Sequence, residues 1–205
     1  MREESVKIYQ FNELSDSAKE TARDEYRNIG MQYTWWDCAI NDVKEIGKLM
    51  GIEIDSDSVY FSGFWSQGDG ACFTGEYEYK KGSVKAVKEY APLDEELHKI
   101  AEYLVSIQKR HFYSLYTRVS HSGRYNHEYC THFDITDHRG VEVPDDTEEA
   151  LKDALRDYMR WIYKRLESEY EYLTSDAAID ESIEVNQYEF LETGKWYYIP
   201  ASTAL

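Results

Sequence analysis

Apolar residues recur every three or four positions between residues 147 and 173. Leu151, Leu155, Tyr158, Met159, Ile162, Leu166, Tyr170 and Leu173 predict one helical stripe over about seven turns. Leu97, Ile100, Ala101, Leu104 and Ile107 predict a second helix, introduced by Pro92-Leu93-Asp94. A third has Trp36, Ile40, Val43, Ile46 and Met50 at helical spacing, with a start at Thr34 and Asp37 and an end at Gly51. A helix opened by Ser15 or Ser17 and closed at Gly30 carries a Ser17/Glu20 capping-box pattern. Ser175 is placed to cap a short helix holding Ile179 and Ile183.

Strand patterns fill the intervals. Residues 6–10 read as a first strand, followed by 52–54, 59–65, 71–79, 112–120 and 124–135; 188–191 and 196–199 form a terminal hairpin across Glu192-Thr193-Gly194-Lys195. Hairpins alternate with blocks of helix rather than with single helices. The expected fold is therefore α+β: a central antiparallel sheet of hairpins with helices packed on it and a long helix in the C-terminal third. One domain covers residues 1–205, and the helical and hairpin part from 145 to 205 is a candidate subdomain. The turn at Ser122-Gly123 leaves two registers open. A two-residue turn sets Arg118 opposite His127 and Tyr116 opposite Tyr129, and a longer loop exchanges these partners.

Composition narrows the function classes. Forty acidic against 23 basic side chains give a formal net charge of −17, which opposes attraction to nucleic acid and suits a partner with a basic surface. No run of eighteen apolar residues and no charged-then-apolar leader is present, so the expected location is a cytoplasm, with no membrane partner. Cys38, Cys72 and Cys130 are odd in number and lack C-x-x-C spacing, as expected of reduced, mostly packed thiols.

Two regions draw chemical interest. In Ser66-Gln67-Gly68-Asp69-Gly70 the glycines permit positive φ and expose backbone N–H groups, so the loop either turns a hairpin or grips a ligand. It matches neither a phosphate cradle nor a nucleophile elbow, and no catalytic residue is assigned. The hairpin after it holds five of the six histidines, His111, His121, His127, His132 and His138. Period-two alternation would put Glu128, Cys130, His132 and Asp134 on one strand face, but no metal-binding spacing is present; no metal and no cofactor is expected. Trp65, Gln67, Asp69, Arg118, Arg124 and Tyr125 are the candidate ligand-binding set, with Tyr60 beside them as a further stacking ring.

Lys152, Arg156, Arg160 and Lys164 make a basic stripe on the long helix, with Asp153, Asp157 and Glu167 placed for intrahelical pairing. Acidity prevails in the surrounding stretch: residues 142–192 contain 16 acidic and five basic side chains. Glu167, Glu169, Tyr170, Glu171, Tyr172, Asp176, Asp180 and Glu181 combine carboxylates with aromatic anchors and form the candidate partner-binding surface.

The blocks YQFNELSDSAKETAR, TWWD, FSGFWSQGDGACFTGEY, SGRYNHEY and LESEYEYLTSDAAIDESIEVNQYEF, then the glycine of ETGKW, span most of the chain. In this combination the chain resembles a group of uncharacterised bacteriophage and prophage proteins often labelled as the antitoxin of a toxin–antitoxin stability system. The resemblance implies a phage context, a soluble α+β domain and action inside the host cell, and it carries no catalytic residues. The function expected is non-enzymatic binding and neutralisation of a host protein, a toxin or an anti-phage defence effector. The alternative is a protein that binds a nucleotide or small molecule and sequesters or hydrolyses a defence signal. A homodimer is compatible with either.

Overall fold

A computed structural model describes residues 5–30 and 34–198. The chain is α+β and forms two compact units, one from residues 1–35 with 168–205 and one from residues 36–167.

The larger unit is built on a four-stranded antiparallel sheet in the order β2-β3-β4-β5, with β2 at Ile52–Ser62, β3 at Gly70–Glu78, β4 at Leu115–His121 and β5 at Thr131–Asp137. Alternation divides the side chains between two faces. Ile52, Phe73, Tyr77, Leu115, Thr117, Val119 and Phe133 are buried on the inner face. Against it pack α2 (Asp37–Met50) and α5 (Asp145–Thr174). The Tyr158 ring of α5 lies 6.1 Å from Phe73 and stacks on Trp161, and its hydroxyl donates to the Val43 carbonyl at 2.6 Å. Burial holds that hydroxyl well above the usual tyrosine range.

Sequence periodicity locates α2, α4 (Glu95–Arg110), α5 and α6 (Asp176–Val185) closely. Gly51 ends α2 in the left-handed region at φ 88°, and a Cβ there would stand 2.1 Å from the Glu78 carbonyl. Asp94 caps α4 through the Leu97 N–H, and Ser175 caps α6 through the Ala178 N–H.

Other expectations need correction. Residues 52–54 and 59–65 are one strand ending at Ser62, with a register shift between Ile54 and Val59 and Asp57 at φ 53°. Helix α3 (Ser83–Tyr90) escaped the pattern because only Ser83 and Val87 of its eight residues are buried. β4 and β5 are joined by nine residues, 122–130, rather than a tight turn, so Arg118 faces Asp134 and Tyr116 faces Thr136.

In the smaller unit α1 (Asp16–Gly30) and α6 enclose Phe11, Leu14, Ala18, Ala22, Ile179, Ile183 and Phe190. The first strand is only β1, Tyr9–Gln10. It pairs antiparallel with β6, Glu189–Phe190. The expected hairpin across residues 192–195 is present in short form: Phe190 bridges Trp196, the Leu191 N–H donates to the Lys195 carbonyl and the Tyr197 N–H to the Glu189 carbonyl, both at 2.8 Å; Ile199 lies outside the described residues. The Ser17/Glu20 box is not made. Ser15 accepts the Ala18 N–H, and Glu20 pairs with Arg23.

Candidate functional site

The glycine-rich loop spans 63–69 and is organised by its own aspartate. Asp69 Oδ2 accepts the backbone N–H groups of Ser66 at 2.7 Å and Trp65 at 3.1 Å, while the Asp69 N–H donates to the Ser66 carbonyl. Gly63 sits at φ 34°, and a Cβ there would lie 2.4 Å from the same carboxylate. Gly68 takes the expected positive φ, 93°, but Gly70 does not; its side-chain space is filled by His127, whose Cδ2 would be 3.0 Å from a Cβ. Phe64 is buried with its ring 5.5 Å from Tyr163, whereas Trp65 is 74% exposed and Gln67 is exposed.

Loop 122–130 is fastened to the same end of the sheet. Asn126 Nδ2 donates to the Phe61 carbonyl at 2.9 Å, and the buried Glu128 carboxylate meets Arg160 of α5 at 3.3 Å and His127 at 3.0 Å. The Arg156 guanidinium lies 4.9 Å from the Tyr129 ring and 5.5 Å from Phe133. β3 pairs with β4 only from Gly75 to Glu78, so this loop lies beside the first half of β3. Burial pushes the Cys72 thiol up to about 12, which keeps it protonated and unreactive at neutral pH.

The candidate ligand set is therefore dispersed in role. Asp69 holds its loop, Arg118 is engaged with Asp55 at 2.9 Å and Glu76 at 3.6 Å, and Arg124 and Tyr125 are exposed on loop 122–130. Tyr60 stacks on His121 at 5.0 Å. The histidine-rich hairpin is dispersed too: Glu128 and Cys130 lie in a 3-10 turn, His132 and Asp134 on the strand, and His111 against Thr147. Among the described residues no three His, Cys, Asp or Glu side chains are grouped to hold a metal ion.

Charges on α5 pair within the helix at three of the four basic positions, and the fourth, Lys164, crosses to α4 instead of meeting Glu167. Lys152 meets Glu148 and Glu149, Arg156 meets Asp153, Arg160 meets Asp157, and Lys164 reaches Glu96. On the candidate partner surface two carboxylates have internal partners: Asp180 takes both Arg23 nitrogens at 2.7 Å, and Asp176 pairs with Arg27. Tyr170 packs edge-on to Trp35 at 5.4 Å. Glu171, Tyr172 and Glu181 are exposed, and Glu167 and Glu169 are half-buried.

The arrangement that sequence reasoning missed is the outer face of the sheet. Register places Glu53, Glu76, Glu78 and Asp134 there with Arg118, Tyr116, Ser120, His132 and Thr136, and the ion pair with Arg118 brings Asp55 to the same face. Tyr116 donates to Glu76 at 2.6 Å, and that bond to a carboxylate raises the phenol's pKa. Glu53, Glu78, Arg118, Ser120, His132, Asp134 and Thr136 are exposed. Five carboxylates thus share a face with one guanidinium, and two of them, Asp55 and Glu76, contact it. The signal was present as Glu53/Asp55 and Glu76/Glu78 at period two, but only the strand register joins them into one surface.

Among the described residues no helix is long and apolar enough to cross a membrane. No curated protein and no solved structure matches the chain. Residues 35–176, which include the sheet and both of its loops, match a domain of unknown function, DUF8835, and over that span the chain belongs to this family.

Proposed function

We propose that this protein is a non-enzymatic binding protein that neutralises a basic partner protein by laying the outer face of its sheet against it. The observation that carries this reading is a carboxylate-rich face on which Glu53, Glu78 and Asp134 are exposed and half-buried Asp55 and Glu76 pair with Arg118. An antiparallel sheet with one solvent-facing side offers an ordered surface, and complementary charge on a partner accelerates encounter and fixes orientation. The aromatic rings of Tyr60 and Tyr116 supply contact area within that field. The resemblance to phage proteins supports a host protein as the partner, a toxin or defence effector, in the host cytoplasm.

The test is affinity capture from a bacterial lysate with the wild-type protein and with the triple variant E53K/E78K/D134K, which changes exposed side chains only. A stoichiometric basic partner retained by wild type and by the control E171K/E181K, but lost by the triple variant, supports the proposal. Equal capture by the triple variant, or loss with the control alone, overturns it.

A further inference from the structure

Outside that face, an apolar groove runs between α3 and α4. It is lined by Tyr79, Val84, Lys85, Lys88, Glu89 and Val105, with a volume of about 540 Å³. The Tyr113 ring lies 4.3 Å from that of Tyr79. Tyr113 and its neighbour Phe112 are held at φ 62° and 55°, a region that bulky residues adopt at a cost. The turn is fastened by the Tyr113 N–H donating to the Gln108 carbonyl at 2.7 Å. Phe112 is left 75% exposed beneath the Arg139 guanidinium.

Lysines outnumber carboxylates around this groove, although Glu89 lines it and Glu102 stands beside Lys88. Between Glu78 and Glu89 the chain carries Lys80, Lys81, Lys85 and Lys88 and no acidic residue, in a protein of net charge −17. Lys109 stands one helical turn after Val105 on the same side of α4. Lys88 is shared with Glu102, but Lys85 reaches Glu89 only at 3.6 Å, with the two side chains 82% and 68% exposed. A pair so exposed contributes little and yields readily to a better partner.

We infer that the α3–α4 groove docks an acidic amphipathic helix of a partner protein, apolar side chains entering between Val84 and Val105 and carboxylates meeting Lys85, Lys88 and Lys109. An open groove between two helices is the geometry in which amphipathic helices bind. The lysine rim selects an acidic helix over a basic one. This site is separate from the sheet face and takes a ligand of opposite charge, so it stands or falls independently.

Two fluorescent helical peptides test it, both with leucines at i, i+3, i+4 and i+7 and with either glutamate or lysine at the other positions. Fluorescence anisotropy should show the glutamate peptide binding at least about tenfold more tightly at low salt, with affinity falling as salt rises. V105D should weaken it by about tenfold or more, and K85E/K88E should reverse the preference toward the lysine peptide. Thermal melts of both variants establish that the fold is intact. No binding by the glutamate peptide, an unchanged preference in K85E/K88E, or binding of dodecanoate in place of either peptide overturns the inference.

Discussion

Asp69 changes meaning between sequence and structure. Between two glycines it resembles a ligand-gripping acid, yet its carboxylate is turned onto the Trp65 and Ser66 N–H groups of its own loop. Asp69→Ala leaves both donors without this partner and should destabilise the protein by about 1–2 kcal/mol in urea unfolding; Asp69→Asn, which keeps an acceptor oxygen, should lose less than half as much. Asp137 is a second carboxylate with a structural task. Arg139 grips it through paired hydrogen bonds and its own backbone N–H, holding its carboxyl well below the usual range. A lowered folded-state pKa stabilises fully above the unfolded value near 4 and loses that contribution as pH falls through the folded value. Urea midpoints should therefore drop less steeply below about pH 4 in Asp137→Asn than in wild type, whose acid limb includes protonation of this group.

The helices other than α3 were legible because each satisfies a local rule. The α5 stripe needs no partner to be recognised, and Leu151, Leu155, Tyr158, Met159, Ile162 and Leu166 are all buried. The link between β4 and β5 obeys no local rule. Its shape depends on Glu128 meeting Arg160, 32 residues away, and Asn126 meeting Phe61, 65 residues away, and such pairings leave no periodic trace. Asp94 connects the two kinds of information. One oxygen caps α4 through Leu97, at the helix start that the sequence places after Pro92-Leu93-Asp94, and the other accepts the Trp161 indole N–H of α5 at 2.7 Å. Asp94→Ala removes a cap and strands a buried donor together, with an expected loss of about 2–3 kcal/mol. Asp94→Asn should recover the cap and lose roughly 1 kcal/mol, so the two variants separate capping from the interhelix bond in chemical denaturation.

At the scale of the molecule, net charge was legible and its placement was not. Acidity along residues 167–181 is conspicuous in sequence, but Asp176 and Asp180 are engaged in clamping α6 to α1. Carboxylates scattered over β2, β3 and β5 instead converge on one uncovered face, because antiparallel register aligns Glu53 with Glu76 and Arg118 with Asp134. The sheet supplies the acidic surface and α3 with α4 supplies a basic rim, which fits a protein with two separate binding surfaces and no assigned catalytic group.

The most direct measurement is the affinity of a captured partner, determined by calorimetry for wild type and for E53K/E78K/D134K at two salt concentrations. Binding through the sheet face predicts a wild-type Kd that weakens about tenfold between low and moderate salt, and little or no binding by the variant. An affinity insensitive to salt and unchanged by the three substitutions would contradict it.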